Sequence, residues 1–171
     1  MAQEAVKNTK FYDIQGRTAE DLHEAMDKYG PSDRNHGRRV WAHTRWYVKW
    51  KFEYEERRNQ CSIKSVKTET TIDFNYPRWT NKSDGPRAVQ RRWEEFMATL
   101  IKHENKHAKH GLLAAAEVRK VLPQLPPQRT CERMKEVAKA KGKEITDKYH
   151  AMDIEYDRRT RNGATEGITM P

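Results

Sequence analysis

Hydrophobic and polar positions along the chain fall into stretches with distinct periods. Residues 40–54 alternate: Val40, Ala42, Thr44, Trp46, Val48, Trp50, Phe52 and Tyr54 hold the even positions, and Arg45, Lys49, Lys51, Glu53 and Glu55 hold odd ones. A period of two predicts a long strand with one buried face. Residues 57–60 are a polar turn, and residues 63–76 run extended again, with Val66, Thr68, Thr70, Ile72 and Phe74 on one side. The two runs predict an antiparallel hairpin. Earlier, residues 10–14 read as a short extended piece, and Leu22, Ala25, Met26 and Tyr29 recur at helical spacing over 18–29. Thr18 and Asp21 offer the reciprocal cap of that helix, which Gly30-Pro31 then stops.

The turn residues of 81–86 precede a long helix that reaches about Leu122 and ends in Pro123, Pro126 and Pro127. Its apolar stripe steps through Val89, Trp93, Phe96 and Leu100, and the same rhythm continues onto His103, His107, His110 and Ala114. Histidines thus stand where core residues would. A final helix over about 130–160 places Met134, Val137, Ile145, Tyr149, Met152 and Tyr156 on one face, and a glycine-containing tail follows over 162–171. The fold expected is α+β: a long hairpin, joined by residues 10–14 as a third strand, packed against the histidine helix and the C-terminal helix. One domain is expected over 1–171, with its core at about 10–168.

Composition changes this picture only in part. Hydrophobic and charged residues each make up 35%, so the surface is densely charged while five Trp and seven Tyr supply much of the buried area. No apolar run approaches the roughly 20 residues of a membrane span, and residues 1–8 lack the apolar core of a signal peptide. A net charge of +9 favours anionic partners, among which a cell-wall polymer is a candidate. Nucleic acid is disfavoured, because acidic residues interleave with the basic ones and no base-reading pattern is present. Cys61 and Cys131 have no C-x-x-C spacing. A disulfide is the preferred reading, worth roughly 4 kcal/mol by chain entropy and implying an oxidising compartment. Two separate buried thiols are the alternative.

The candidate chemistry lies in His103-Glu104-Asn105-Lys106-His107, which fits H-E-x-x-H. Residues four apart share a helix face, so two imidazoles there can bind one zinc ion, and the adjacent Glu104 can act as general base toward the attacking water. A catalytic zinc wants a third protein ligand. His110 lies roughly 10 Å from His103 along a straight helix, too far for closure, and Glu117 lies farther still. Another element should supply the ligand, and the C-terminal helix offers His150, Asp153, Glu155, Tyr156 and Asp157.

Residues spread along the whole chain carry a resemblance. They are Tyr12-Asp13 with Gly16 and Thr18, Gly30-Pro31, Thr44 with Trp46, Cys61, Tyr76-Pro77-Arg78-Trp79, Trp93, Leu100 through His107, Cys131, and Tyr156-Asp157 followed by Thr160 and Asn162-Gly163. In these the sequence resembles a bacterial family of domains regarded as secreted zinc-dependent proteases. The resemblance implies a zincin-like fold, export to the periplasm or the exterior, a Cys61–Cys131 bond, peptide or protein as substrate, and a zinc cofactor. It makes His103 and His107 ligands and Glu104 the general base, and it points to the segment around Asp157 for completing the site. Asn162 departs from the histidine expected before Gly163. If that histidine is a ligand in the family, zinc binding here is weak or absent; if Asp157 is the ligand, the substitution matters little. Asp157 is favoured because a carboxylate is a good third ligand and Tyr156 beside it is a candidate oxyanion donor. The rival expectations are a catalytically inactive binding module on the same fold, and a basic nucleic-acid or cell-wall binder using Trp41, His43, Arg45 and Tyr47.

Overall fold

In a computed structural model, residues 5–33 and 37–170 are described, so the first four positions of the polar start lie outside them. The order is β1 (Ala5–Ile14), α1 (Ala19–Tyr29), two short strands β2 (Ser32–Asp33) and β3 (Arg38–Arg39), β4 (His43–Arg57), β5 (Gln60–Trp79), α2 (Arg87–Val121) and α3 (Cys131–Thr160). The expected α+β composition is thus present. Among the described residues, no helix is long and apolar enough to cross a membrane.

The main sheet has the order β1-β5-β4, so the third strand joins the hairpin on its β5 side. Arg58 and Asn59 bridge β4 and β5 with φ of 47° and 62°. Positive φ at both central residues is what a two-residue hairpin turn needs to match the twist of its strands. β5 runs past Pro77 to Trp79, beyond the expected end at Tyr76. Its continuation is held by Arg78 against Asp13 at 2.7 Å and by the Thr80 N–H donating to the Ile14 carbonyl at 3.0 Å. The cap of α1 forms as expected: the Asp21 N–H donates to Thr18 Oγ1 at 3.1 Å, and the Thr18 N–H donates to Asp21 Oδ2 at 3.0 Å.

The described chain divides into two compact units, one from residues 5–6, 46–72 and 109–153, the other from 7–45, 73–108 and 154–170. In the first, Ile63, Val118, Leu122, Met134, Ala138 and Ile145 form an apolar cluster with Cys61, against which Trp50, Phe52 and Val66 pack. Cys61 and Cys131 are disulfide-bonded, with Cα atoms 5.1 Å apart. Glycine in a helix interior costs stability, and here it makes room for tryptophan. A Cβ on Gly111 would lie 2.7 Å from Trp46, and one on Gly142 would lie 2.4 Å from Trp50.

One expectation on α3 is corrected in this unit. Met152 is 43% exposed, and the inward position belongs to Asp153, which accepts from Trp46 Nε1 at 2.7 Å and pairs with His110 Nδ1 at 2.5 Å. The apolar stripe misplaced this turn because a polar side chain, satisfied by hydrogen bonds, occupies it.

The second unit buries Ile14, Leu22, Met26, Phe74, Trp79, Trp93, Phe96 and Leu100. Its aromatic side chains contact edge to face, with Trp79 and Trp93 centroids 5.9 Å apart and Trp41 and Phe96 centroids 5.7 Å apart. Here the α2 stripe runs inward as expected, from Trp93 through Phe96 and Leu100 to His103 and His107.

Candidate metal centre

The second unit contains every residue that meets at the candidate site. His103 and His107 come from one face of α2, four residues apart, and are only 4% and 6% exposed. Asp157 comes from the last turn of α3. Its Oδ1 lies 3.0 Å from His103 Nε2 and 2.9 Å from His107 Nε2, and the two Nε2 atoms are 3.4 Å apart. Three electron-pair donors so close repel one another unless a proton or a cation lies among them.

The charges respond accordingly. Burial works to raise the Asp157 carboxyl, but its close contacts with His103 and His107 overcome it and hold the group well below the usual carboxylate range. Burial works to lower His103, but its bonds to Asp157 and Glu166 prevail and its proton affinity rises above that of a free imidazole.

Glu104, adjacent to the first histidine, is 5% exposed. Thr44, near the start of β4, donates its hydroxyl to Glu104 Oε2 at 2.5 Å. Burial pushes the Glu104 carboxyl up, and the nearby histidines and the Thr44 bond only partly offset it. His43 stands beside Thr44, and burial lowers its proton affinity.

The end of α3 is built to carry the rest of the site. Arg161, Asn162 and Gly163 all take positive φ, at 52°, 53° and 85°. Asparagine is among the few side chains that tolerate this region, which gives Asn162 a backbone role at the helix stop. The Asn162 N–H donates back to the Asp157 carbonyl at 2.8 Å, closing the helix on the residue whose carboxylate meets the two histidines. The turn Ala164–Glu166 then brings Glu166 Oε2 to 2.7 Å from His103 Nδ1.

Tyr156 is buried, with its ring stacked on His103 at 4.6 Å and edge-on to His107 at 5.2 Å. Its hydroxyl donates to Glu166 at 2.8 Å, so in this arrangement it serves that carboxylate rather than an oxyanion.

The other ligand candidates have contacts of their own. His110 pairs with Asp153, His150 stacks on Trp46 at 3.9 Å, Glu117 accepts from Lys148 and Tyr149, and Glu155 pairs with Arg158. Of the proposed binding surface on the hairpin, Arg45 and Tyr47 are exposed, whereas Trp41 and His43 are half-buried. Trp41 donates to Asp27 at 2.7 Å.

A family model matches residues 9–164, a span that includes His103, Glu104, His107 and Asp157 and stops just short of Glu166. The chain belongs to this family, described as bacterial protein of unknown function (DUF922). No curated protein and no solved structure matches the chain.

Glu166 is not among the residues that the sequence singles out. Its signal was faint: a lone acidic residue between Gly163 and Gly167, in a tail without periodicity. Thr44 stands among the residues that carry the resemblance, but nothing in its spacing signals the bond to Glu104.

Proposed function

We propose that this protein is a zinc-dependent peptidase in which His103, His107 and Asp157 hold the metal and Glu104 is the general base. The observation that carries the reading is the convergence of the three donor atoms. Tetrahedral zinc with bonds of about 2.0–2.1 Å sets neighbouring donors about 3.3 Å apart. The separations here are 3.4, 3.0 and 2.9 Å, and two imidazoles with one carboxylate are a donor set that zinc accepts. When bound, zinc supplies the Lewis acidity that activates a water molecule and polarises a carbonyl.

The chain's own residues provide proton handling and orientation. Thr44 holds the Glu104 carboxylate through Oε2, and that carboxylate would accept the proton of the attacking water and return it to the leaving amine. A carboxyl raised by burial is better matched to this exchange near neutral pH than a free one, because it holds the transferred proton more firmly. Tyr156 covers the imidazoles with its ring and keeps water from that side. Peptide as substrate rests on the resemblance to secreted zinc proteases. Export is supported by the disulfide, which persists in oxidising compartments.

The test pairs zinc content with hydrolysis of a mixed peptide library. Wild type should hold about one zinc per chain and cleave peptides. Glu104→Gln should keep the metal and lose about 10²–10⁴-fold of the rate. Zinc-free wild type, or equal cleavage by the Glu104→Gln protein, would sink the reading.

Near-complete burial of His103, Glu104 and His107 favours a second reading, a closed metal site in a catalytically silent binding module. That reading expects full zinc content with no cleavage of any peptide by wild type.

A further inference from the structure

We infer that Glu166 is a positioning residue for the metal centre, fixing the tautomer and ring orientation of His103 so that Nε2 is the atom turned toward the metal. The inference rests on the metal reading above and adds to it a residue that lies beyond the family match.

A carboxylate only accepts hydrogen bonds. His103 faces a carboxylate at each nitrogen, Glu166 Oε2 at 2.7 Å from Nδ1 and Asp157 Oδ1 at 3.0 Å from Nε2; once a metal takes the lone pairs of Nε2 and Asp157, Glu166 is the acceptor that keeps the ring proton on Nδ1. A ring in the other tautomer would set the Nδ1 lone pair against the carboxylate and point an N–H into the donor triangle. Both changes oppose metal binding, so one hydrogen bond decides between a ligand and a blocked site.

The carboxylate is itself held in place. The Tyr156 hydroxyl donates to it at 2.8 Å, while the same tyrosine's ring lies within 21° of parallel to the His103 ring. Two contacts from one side chain thus set both members of the pair.

The backbone that delivers Glu166 is tightly specified. The Gly163 N–H donates to Thr160 Oγ1 at 3.1 Å, and the Gly163 carbonyl accepts from the N–H groups of Glu166 at 2.9 Å and Ile168 at 3.1 Å. A Cβ at Gly163 would lie 2.2 Å from Ile168 and 3.2 Å from His103 Nδ1, so the turn approaches the imidazole as closely as glycine allows. Ile168 and Met170 are buried beyond it and anchor the segment. An ordinary surface ion pair would need none of this, since such pairs join flexible exposed groups, and the Glu166 partner here is 3% exposed.

The experiment compares wild type, Glu166→Gln and Glu166→Ala by zinc competition titration and by long-range nitrogen–proton correlation spectra of the histidine rings, with thermal melts to confirm folding. Glu166→Ala should weaken zinc binding by about 10–100-fold and remove the Nδ1–H pattern of His103. Glu166→Gln, whose side-chain carbonyl still accepts from Nδ1–H, should fall between the two and keep the tautomer, which keeps the test sound if the alanine variant fails to fold. Unchanged zinc affinity and an unchanged His103 pattern in the folded variants would overturn this role alone. Wild type that binds no zinc would overturn the metal reading and this role with it.

Discussion

The unit formed by residues 46–72 and 109–153 and the unit formed by 7–45, 73–108 and 154–170 use the inward stripe of the same helix in opposite ways. In the former the stripe is Ala114, Ala115 and Val118, and Val118 packs in one cluster with Leu122 just past the helix, Ile63, Met134 and Cys61. In the latter it carries His103, Glu104 and His107, all buried. Burying apolar surface stabilises by about 25 cal/mol per Å², whereas burying ionisable groups costs free energy unless each is paired. The stripe therefore stabilises at one end and carries ionisable groups at the other, where Asp157, Glu166 and Thr44 supply the pairing. Polar burial that needs so many partners marks a functional site better than the helix pattern does.

That contrast can be broken at its covalent end first. Replacing both cysteines by serine should lower stability by about 2–5 kcal/mol, measured by urea unfolding, because the bond closes a 70-residue separation. An unchanged midpoint would mean that the apolar unit does not depend on its staple. Next in size, Gly142→Ala should cost about 1–3 kcal/mol, since the added methyl meets Trp50 at 2.4 Å. A stabilised variant, as helix propensity alone would predict, would show that the tryptophan is free to move. Smallest of all, Met152→Gln should change stability by no more than about 0.5 kcal/mol, because the side chain is 43% exposed. A large loss there would restore Met152 to the core and displace Asp153 from it.

Much of the fold was legible because its patterns are long. The alternation through Trp46 and Trp50 predicted β4, and the three-four rhythm through Trp93 and Leu100 predicted both α2 and the inward position of its histidines. Pro77 hid the last residues of β5, since proline usually argues against a central strand and the bonds that hold it there come from distant Asp13 and Ile14. Met152 is wrongly expected on the inward face because hydropathy cannot register that a carboxylate, Asp153, satisfied by Trp46 and His110, takes that position. Within the site, His103, Glu104 and His107 could be read from local spacing alone. Asp157 needed the resemblance, and Glu166 needed the left-handed turn at 161–163, whose course no periodicity encodes.

The central claim is that three donor atoms converge to hold a metal, and metal content measures it most directly. Protein purified without a metal-binding tag should carry about one zinc per chain by mass spectrometry, with none in His103→Ala and far less in Asp157→Ala. Wild type that stays metal-free after incubation with zinc would contradict the account.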